Sequence, residues 1–227
     1  MTEPGGVDVW TVHLDRDVDA ARWLSAAELR RAAAIGDPDG RRRFVVAHAA
    51  LNGILAGRLD LRPTALPLRR NPRGRPYLPG GSLHFSLAHA GERALIAVAG
   101  REVGVDLDRP RFGLDPRRMA ARFFTPAEAA RVAAAGTEAY AAYLRLWTRK
   151  EACVKAAGAR LALGLRLPVP GVASGAVVRD PSGRLPGAYF LRDLPDHGAF
   201  RGAVALAGAD PAPCHHREFH RDLRRTP

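Results

Sequence analysis

Lysine is almost missing from this chain of 227 residues: it occurs only at Lys150 and Lys155, and the basic excess is otherwise arginine. Two lysines five positions apart in so arginine-rich a chain point to a place that wants compact, titratable ammonium groups. Cysteine is equally scarce. Cys153 and Cys214 are too few and too unpatterned for a disulfide framework or a zinc site, and they fit a reducing cytoplasm. Aromatic residues are only 7% of the chain, so the core must be built from small side chains, alanine above all. No apolar run approaches the ~18 residues that a membrane span needs. The segment Met1-Thr2-Glu3-Pro4-Gly5-Gly6 lacks the basic stretch and apolar run of a secretory signal. The expectation is a soluble cytoplasmic protein with no membrane partner. No short-period repeat is visible.

What is present is a hydrophobic fraction of 47%, enough for a packed core, with charge dispersed among apolar residues rather than replacing them. Length alone leaves the domain count open. The formal net charge is +12 and the sequence pI about 11.1. A balance so basic predicts an anionic partner: nucleic acid, a membrane surface, a phosphorylated small molecule or an acidic protein.

Alternation around Val9 and Trp10 predicts a strand from Val7 to Leu14. Ser25 and Glu28 form a capping box that opens a helix running to about Ile35. The cluster Gly36-Asp37-Pro38-Asp39-Gly40 reads as a turn, followed by a helix from about Arg41 to Gly57. Residues 58–82 read as loop. Leu83–Ala88, Ala94–Ala99 and Val103–Leu107 read as an antiparallel meander. In the second half a helix spans Pro116–Phe123, and Thr125-Pro126-Ala127-Glu128 is a second capping box. A longer helix runs from roughly Thr137 to Ala157 and stops at Gly158. Strands follow at Ala176–Arg179, Ala188–Leu194 and Gly202–Ala207. The order fits an α+β protein of two halves, 1–102 and 103–208, with a flexible tail at 209–227.

Three constellations carry chemistry. In Gly104-Val105-Asp106-Leu107-Asp108 alternate residues share a face, so Val103, Val105 and Leu107 point one way and Gly104, Asp106 and Asp108 the other. Two carboxylates on one strand end suit a hard cation such as Mg²⁺; the alternative is that both acids cap the turn at Arg109-Pro110. In Trp147 through Lys155, the residues Trp147, Glu151 and Lys155 form one helical stripe flanked by Leu144 and Val154, which favours function over an exposed ion pair. Third comes basic and histidine material upstream: Arg30 and Arg31, Arg41 through Arg43, Arg75 on a rigid turn and His89 at a strand end. These could hold phosphates, although each alone is an ordinary surface charge.

Taken together, Phe85-Ser86-Leu87-Ala88-His89, the Gly104–Asp108 segment, Arg122-Phe123-Phe124 and Trp147 through Lys155 resemble the 4′-phosphopantetheinyl transferases in order and spacing. The likeness is to the larger, surfactin-synthetase-activating type and covers about residues 24 to 165. The resemblance implies a fold of two similar-sized α/β halves related by pseudo-two-fold symmetry, each a small, mostly antiparallel sheet packed with helices. It implies Mg²⁺, or Mn²⁺, at Asp106, Asp108 and Glu151, and coenzyme A as co-substrate. Glu151 matches the residue that deprotonates the carrier serine, and Lys155 the lysine near the coenzyme A phosphates. Lys150, just before the glutamate, and Arg31, Arg43, His48, Arg75 and His89 fall with the coenzyme A-binding positions, Arg75 and His89 at the adenosine 3′-phosphate. The partner implied is an acyl, peptidyl or aryl carrier protein, and the enzyme a monomer. Two positions depart from the pattern: Ala88 stands where a serine hydroxyl often meets phosphate, and His48 where arginine is expected.

Two other readings compete. A nucleic-acid-binding module would explain the pI, but the chain lacks a helix-turn-helix, zinc or aromatic-platform signature and spreads its arginines throughout. A relative that binds coenzyme A without transferring it would explain Ala88 and His48. The terminal Cys214-His215-His216 with His220 lacks the ligand spacing of a metal site.

Overall fold

A computed structural model of the chain describes residues 5–15, 20–171 and 174–219. The element order is β1 (Val7–His13), α1 (Ala26–Ala33), α2 (Pro38–Leu59), β2 (Arg69–Arg70), β3 (Pro76–Tyr77), β4 (His84–Ala90), β5 (Arg93–Ala99) and β6 (Val103–Asp108). There follow α3 (Pro116–Phe123), α4 (Pro126–Ala134), α5 (Ala139–Ala156), α6 (Leu161–Gly164), β7 (Ser174–Arg179), β8 (Ala188–Asp193), β9 (Arg201–Ala207) and β10 (Cys214–Glu218). Among the described residues no helix is long and apolar enough to cross a membrane.

Both capping boxes form. Ser25 and Thr125 accept the backbone N–H three residues on, and Glu28 and Glu128 reach back to the cap N–H groups, so α1 and α4 start where the side chains satisfy the open donors. Helix α2 begins at Pro38, inside the cluster expected to be a turn. Asp37 caps it through Gly40 N at 2.7 Å, and a proline in the first turn loses no helical hydrogen bond there.

The strands form two four-stranded sheets, in the orders β10-β1-β5-β4 and β6-β9-β8-β7, and β2-β3 is a separate hairpin. The expected meander is therefore only half right. β4 and β5 are an antiparallel pair, but the other edge of β5 is taken by β1, so β6 crosses after Gly100-Arg101 and pairs with β9 in the second sheet. The alternating faces define four layers. Leu95, Ala97 and Ala99 of β5 meet Val103, Val105 and Leu107 of β6 between the sheets. Ala94, Ile96 and Val98 face Val46, Leu51 and Leu55 of α2. Ala203 and Ala205 of β9 face Ala152, Cys153 and Ala156 of α5. These alanine-rich contacts let the layers approach closely, as the low aromatic content implied.

The chain near its end is not a free tail throughout. Residues 214–218 form β10, parallel to β1, with Val7 opposite Cys214 and Thr11 opposite Glu218. The reason lies in β1: Asp8 is fully buried and draws Arg58 of α2 and Arg217 of β10, the latter at 3.2 Å. A buried carboxylate needs such partners. Residues 220–227, with His220, lie outside the described residues, and among those described no group of three or more metal-ligating side chains is found.

Gly104 sets how β6 meets α5. A Cβ there would stand 2.0 Å from the Ala152 carbonyl oxygen and 2.5 Å from the Ala156 nitrogen, both backbone atoms of the helix. Asp106 and Asp108, on the same face, are buried rather than presented to open solvent, each at 7% exposure. We expect Gly104→Ala to destabilise the protein by about 2–3 kcal/mol, because α5 must move bodily to admit a methyl group. Denaturant unfolding measures the loss, and an unchanged midpoint would contradict this packing.

Candidate active site

A cleft of about 660 Å³ is lined by side chains from residues 25–89 together with residues 155–160. One wall comes from α1 and α2, with Arg31 and His48; another from the β2–β3 hairpin, with Arg69, Arg70, Arg73 and Arg75; its floor includes Ser86 and His89 of β4. The second half contributes Lys155 at the end of α5, then Gly158 and Arg160. So concentrated a set of guanidinium donors in a concave surface suits a polyphosphorylated ligand.

Lys155 joins this cleft to the acidic end of β6. Its Nζ donates to Asp106 at 2.7 Å and to the Val105 carbonyl oxygen at 3.1 Å. Burial pushes the Asp106 carboxyl above the usual carboxylate range, Lys155 works against that rise, and Asp108 adds to it. Asp108 accepts from Arg109 N at 2.9 Å and from Arg111 Nη2 at 3.1 and 3.0 Å, so it caps the following turn as well as facing the acidic cluster. Tyr140 of α5 holds that turn, accepting from Arg111 N at 2.8 Å and donating to Arg111 O at 3.1 Å. Glu151 is half-buried one helical turn before Lys155, and its carboxyl is pushed up to about 7, first by burial and then by Asp106 and Asp108. Trp147 completes the stripe and stacks on Tyr143 with ring centroids 5.9 Å apart. A carboxyl that titrates near neutrality beside two others is suited to taking and returning a proton.

Asp106 and Asp108 are close enough to raise the pKa of Glu151, and Asp108 that of Asp106, but among the described residues the three acids are not arranged as a ready metal cage. The donor chemistry nevertheless fits a hard divalent cation. All the ligating atoms would be carboxylate oxygens, and the repulsion that lifts Glu151 is what such a cation relieves. Mg²⁺ commonly takes one or two carboxylates with waters and substrate phosphates, so convergence of all three before substrate arrives is not required.

The remaining expected residues divide. Arg31, His48, Arg75 and His89 line the cleft. His89 is drawn below the ordinary histidine value by partial desolvation, then by the charges of Lys155 and Arg43. Arg43 does not line the cleft; it lies 4.0 Å from Asp39 on its own helix. Lys150 is a correction. It is fully buried on the far side of α5, donating to Glu128 at 2.9 and 2.8 Å and to Leu167 O, with its ammonium 4.9 Å from the Phe124 ring centre. On a helix, adjacent positions point about 100° apart, so Lys150 is turned away from the face that carries Glu151 and Lys155.

Ala88 belongs to the core between the sheets. The neighbouring hydroxyl that does reach the cleft is Ser86, which accepts from Val105 N at 3.1 Å and keeps its own hydrogen to donate. His48 Nδ1 lies 2.9 Å from Phe44 O, which can only accept, so the hydrogen is on Nδ1 and Nε2 carries the lone pair. Burial lowers its pKa to about 4, so the ring is neutral near pH 7 and cannot replace an arginine as a cation. The cleft arginines Arg69, Arg70, Arg73 and Arg160 escaped sequence reading because they sit in segments with no periodicity. Arg69, Arg70 and Arg73 carry one signal, clustering beside Pro72 and Gly74, and Arg160 carries none.

The sequence pattern of the 4′-phosphopantetheinyl transferase superfamily matches residues 102–197. The chain is 35% identical to the 4′-phosphopantetheinyl transferase HetI of Nostoc sp. (strain PCC 7120), over 67% of this chain and 68% of the relative. It is 25% identical to a 4′-phosphopantetheinyl transferase of Bacillus subtilis over 89% of this chain and 93% of the relative. It is 36% identical to the 4′-phosphopantetheinyl transferase AcpT of Salmonella typhimurium over 60% and 69%. The protein belongs to the 4′-phosphopantetheinyl transferase superfamily.

Lys150→Met should cost about 3–5 kcal/mol of stability by leaving the Glu128 carboxylate buried without its cation. Its affinity for coenzyme A, measured on folded protein, should stay within about twofold. A selective loss of affinity would return Lys150 to the cleft. A histidine whose folded pKa is lowered from 6.5 to about 4 binds a proton more readily when unfolded, so its contribution to stability is lost as pH falls through that window. Unfolding curves between pH 7 and 4 should therefore fall less steeply for His48→Gln than for the parent protein; parallel curves would contradict the neutral ring.

Proposed function

We propose that this protein transfers the 4′-phosphopantetheine arm of coenzyme A to a serine hydroxyl of an acyl, peptidyl or aryl carrier protein and releases 3′,5′-ADP. One observation carries the reading: Lys155 belongs at once to the arginine-lined cleft and to the carboxylate cluster of Asp106 and Glu151. A pyrophosphate reaching Lys155 from the cleft would place its reacting phosphorus beside a proton acceptor.

The roles of the side chains follow. The cleft arginines bind the phosphates, with Arg75 and His89 at the adenosine 3′-phosphate. Glu151 takes the proton of the incoming serine as its oxygen bonds to the β-phosphorus of coenzyme A, the phosphorus that carries the pantetheine arm. The bond from that phosphorus to the bridging oxygen breaks, and Lys155 donates to the oxygen that leaves with 3′,5′-ADP. Asp106, Asp108 and Glu151 would hold Mg²⁺ or Mn²⁺, which when bound offsets pyrophosphate charge and polarises the attacked phosphorus.

Carrier docking has support in Phe112, which stands fully exposed beside Arg111 in the turn after Asp108, an apolar side chain next to a cation. Two repeats of strand, helices and hairpin, β1-α2-β4-β5 and β6-α5-β8-β9, in which the first strand pairs with the last, support halves related by a pseudo-two-fold axis. Both halves of the cleft come from one chain, as a monomer of the larger type requires, and we place the enzyme in the cytoplasm.

Asp106→Ala should lower transfer at least about a hundredfold with the fold retained, because it removes a ligand for the metal and the partner of Lys155. Incubation of an apo carrier protein with coenzyme A and Mg²⁺ reads this by intact mass: the parent enzyme adds the phosphopantetheine mass and the variant does not. Undiminished modification by the variant counts against the metal assignment, and an unmodified carrier with the parent enzyme counts against transfer itself.

A further inference from the structure

Arg75 forms the partition between two cavities. It lines the main cleft and also a second one of about 370 Å³ on its other side, whose wall includes Glu102 and His84. Its backbone is fixed by the hairpin turn: Asn71 Oδ1 accepts from Arg73 N and Arg75 N, both at 3.0 Å. The hairpin itself is short, with only Arg69–Tyr77 and Arg70–Pro76 paired, so it does little to restrain a long side chain.

The guanidinium is held from the rear instead. Its Nη2 donates to the Val103 carbonyl oxygen at 3.2 Å and forms an ion pair with Glu102 Oε2 at 3.0 Å. Its Nη1 stands over Gly158, where a Cβ would come within 3.2 Å of it, and Gly158 lines the main cleft. Glu102 is itself held. Its Oε1 is 3.2 Å from His84 Nδ1, and His84 Nε2 is 3.0 Å from Gly81 O. Carboxylate and carbonyl are both acceptors, so this chain is complete when the imidazole carries both hydrogens. The result is a relay of contacts from Gly81 through His84 and Glu102 to Arg75, all approaching from the cavity away from the ligand.

We propose that Glu102 is a positioning residue for Arg75: it occupies one face of the guanidinium so that the remaining donors point into the cleft, and thereby sets affinity for a nucleotide bearing a 3′-phosphomonoester. The inference rests on the reading that Arg75 meets that phosphate. Two effects oppose each other. The carboxylate reduces the positive potential that the phosphate feels, and it spares the ligand the cost of ordering a flexible arginine. Glu102 is half exposed on its own cavity side, where solvent and salt screen its charge. Directed hydrogen bonds to phosphate depend on where the donors point, so ordering prevails.

Calorimetric titration of the full chain with coenzyme A and with 3′-dephospho-coenzyme A tests this. Glu102→Ala should weaken coenzyme A binding about fivefold and leave the dephospho form unchanged. Glu102→Gln, which keeps an acceptor, should fall between the variant and the parent. Arg75→Ala should weaken coenzyme A binding further, and adding Glu102→Ala to it should cost nothing more. Where turnover is measured, the Glu102 effect should fall on KM and leave kcat within about twofold. Equal weakening of both ligands by Glu102→Ala, or additive losses in the double variant, overturns the positioning role. An Arg75→Ala variant with unchanged coenzyme A affinity overturns the placement of Arg75 and the inference with it. Absence of transfer by the parent enzyme, with these binding differences intact, sinks only the transferase reading.

Discussion

The seating of α5 on β6 across Gly104 is the constraint on which the rest of the site depends. Backbone meets backbone there because no side chain intervenes. That closeness lets Lys155 reach the Val105 carbonyl and the Asp106 carboxylate from the helix, and it brings Glu151 within the electrostatic reach of both strand acids. A larger residue at this position would separate the two elements that supply the carboxylates. The same closeness buries Asp106, which raises its pKa, and a buried carboxylate is tolerable only because an ammonium group faces it. Packing and chemistry thus impose one requirement on one glycine.

The positive balance of the chain has a structural as well as a functional use. Arg149 is buried and makes a two-pronged pair with Asp193 at 2.7 and 2.6 Å, while its third nitrogen donates to Pro170 O and Gly171 O. Arg58 and Arg217 meet the buried Asp8 and so bind the last described strand to the first. Planar guanidinium groups suit such multiply bonded positions. The two lysines do something different: each is a compact ammonium set against a carboxylate on α5's neighbours, Lys150 against Glu128 in the core and Lys155 against Asp106 at the cleft. Their scarcity in the sequence was a sound pointer to special positions, but only one of them lies where a ligand could reach it.

Much of the local structure was legible. The capping residues Ser25, Glu28, Thr125 and Glu128 act through bonds spanning three residues, so their order in the chain is enough to reveal them. The i, i+4, i+8 stripe of Trp147, Glu151 and Lys155 was legible for the same reason. The start of α2 is not legible because Asp37-Pro38 is as good a turn as it is a helix entry, and which one forms depends on whether the following residues find a sheet to pack on. β6 joins β9 rather than the expected meander because strand pairing is a choice among edges distant in sequence. Nothing near residue 103 records that β1 already occupies the free edge of β5. β10 is not legible because its partner, β1, lies far upstream, with Val7 opposite Cys214.

By itself the sequence determined which residue types were available for chemistry and which local faces they shared: two acids alternating on a strand, a glutamate and a lysine one helical turn apart, and no sulfur framework or membrane-spanning run to compete with them. Those are short-range matters, settled by backbone geometry over a few residues. Only the tertiary structure decided that Lys155 faces the acids while Lys150 is buried against Glu128, that Ser86 rather than residue 88 reaches the cleft, and that Arg75 is braced by Glu102. Each of those outcomes depends on how layers from the two halves stack, and stacking is set by the shapes and volumes of side chains far apart in the chain.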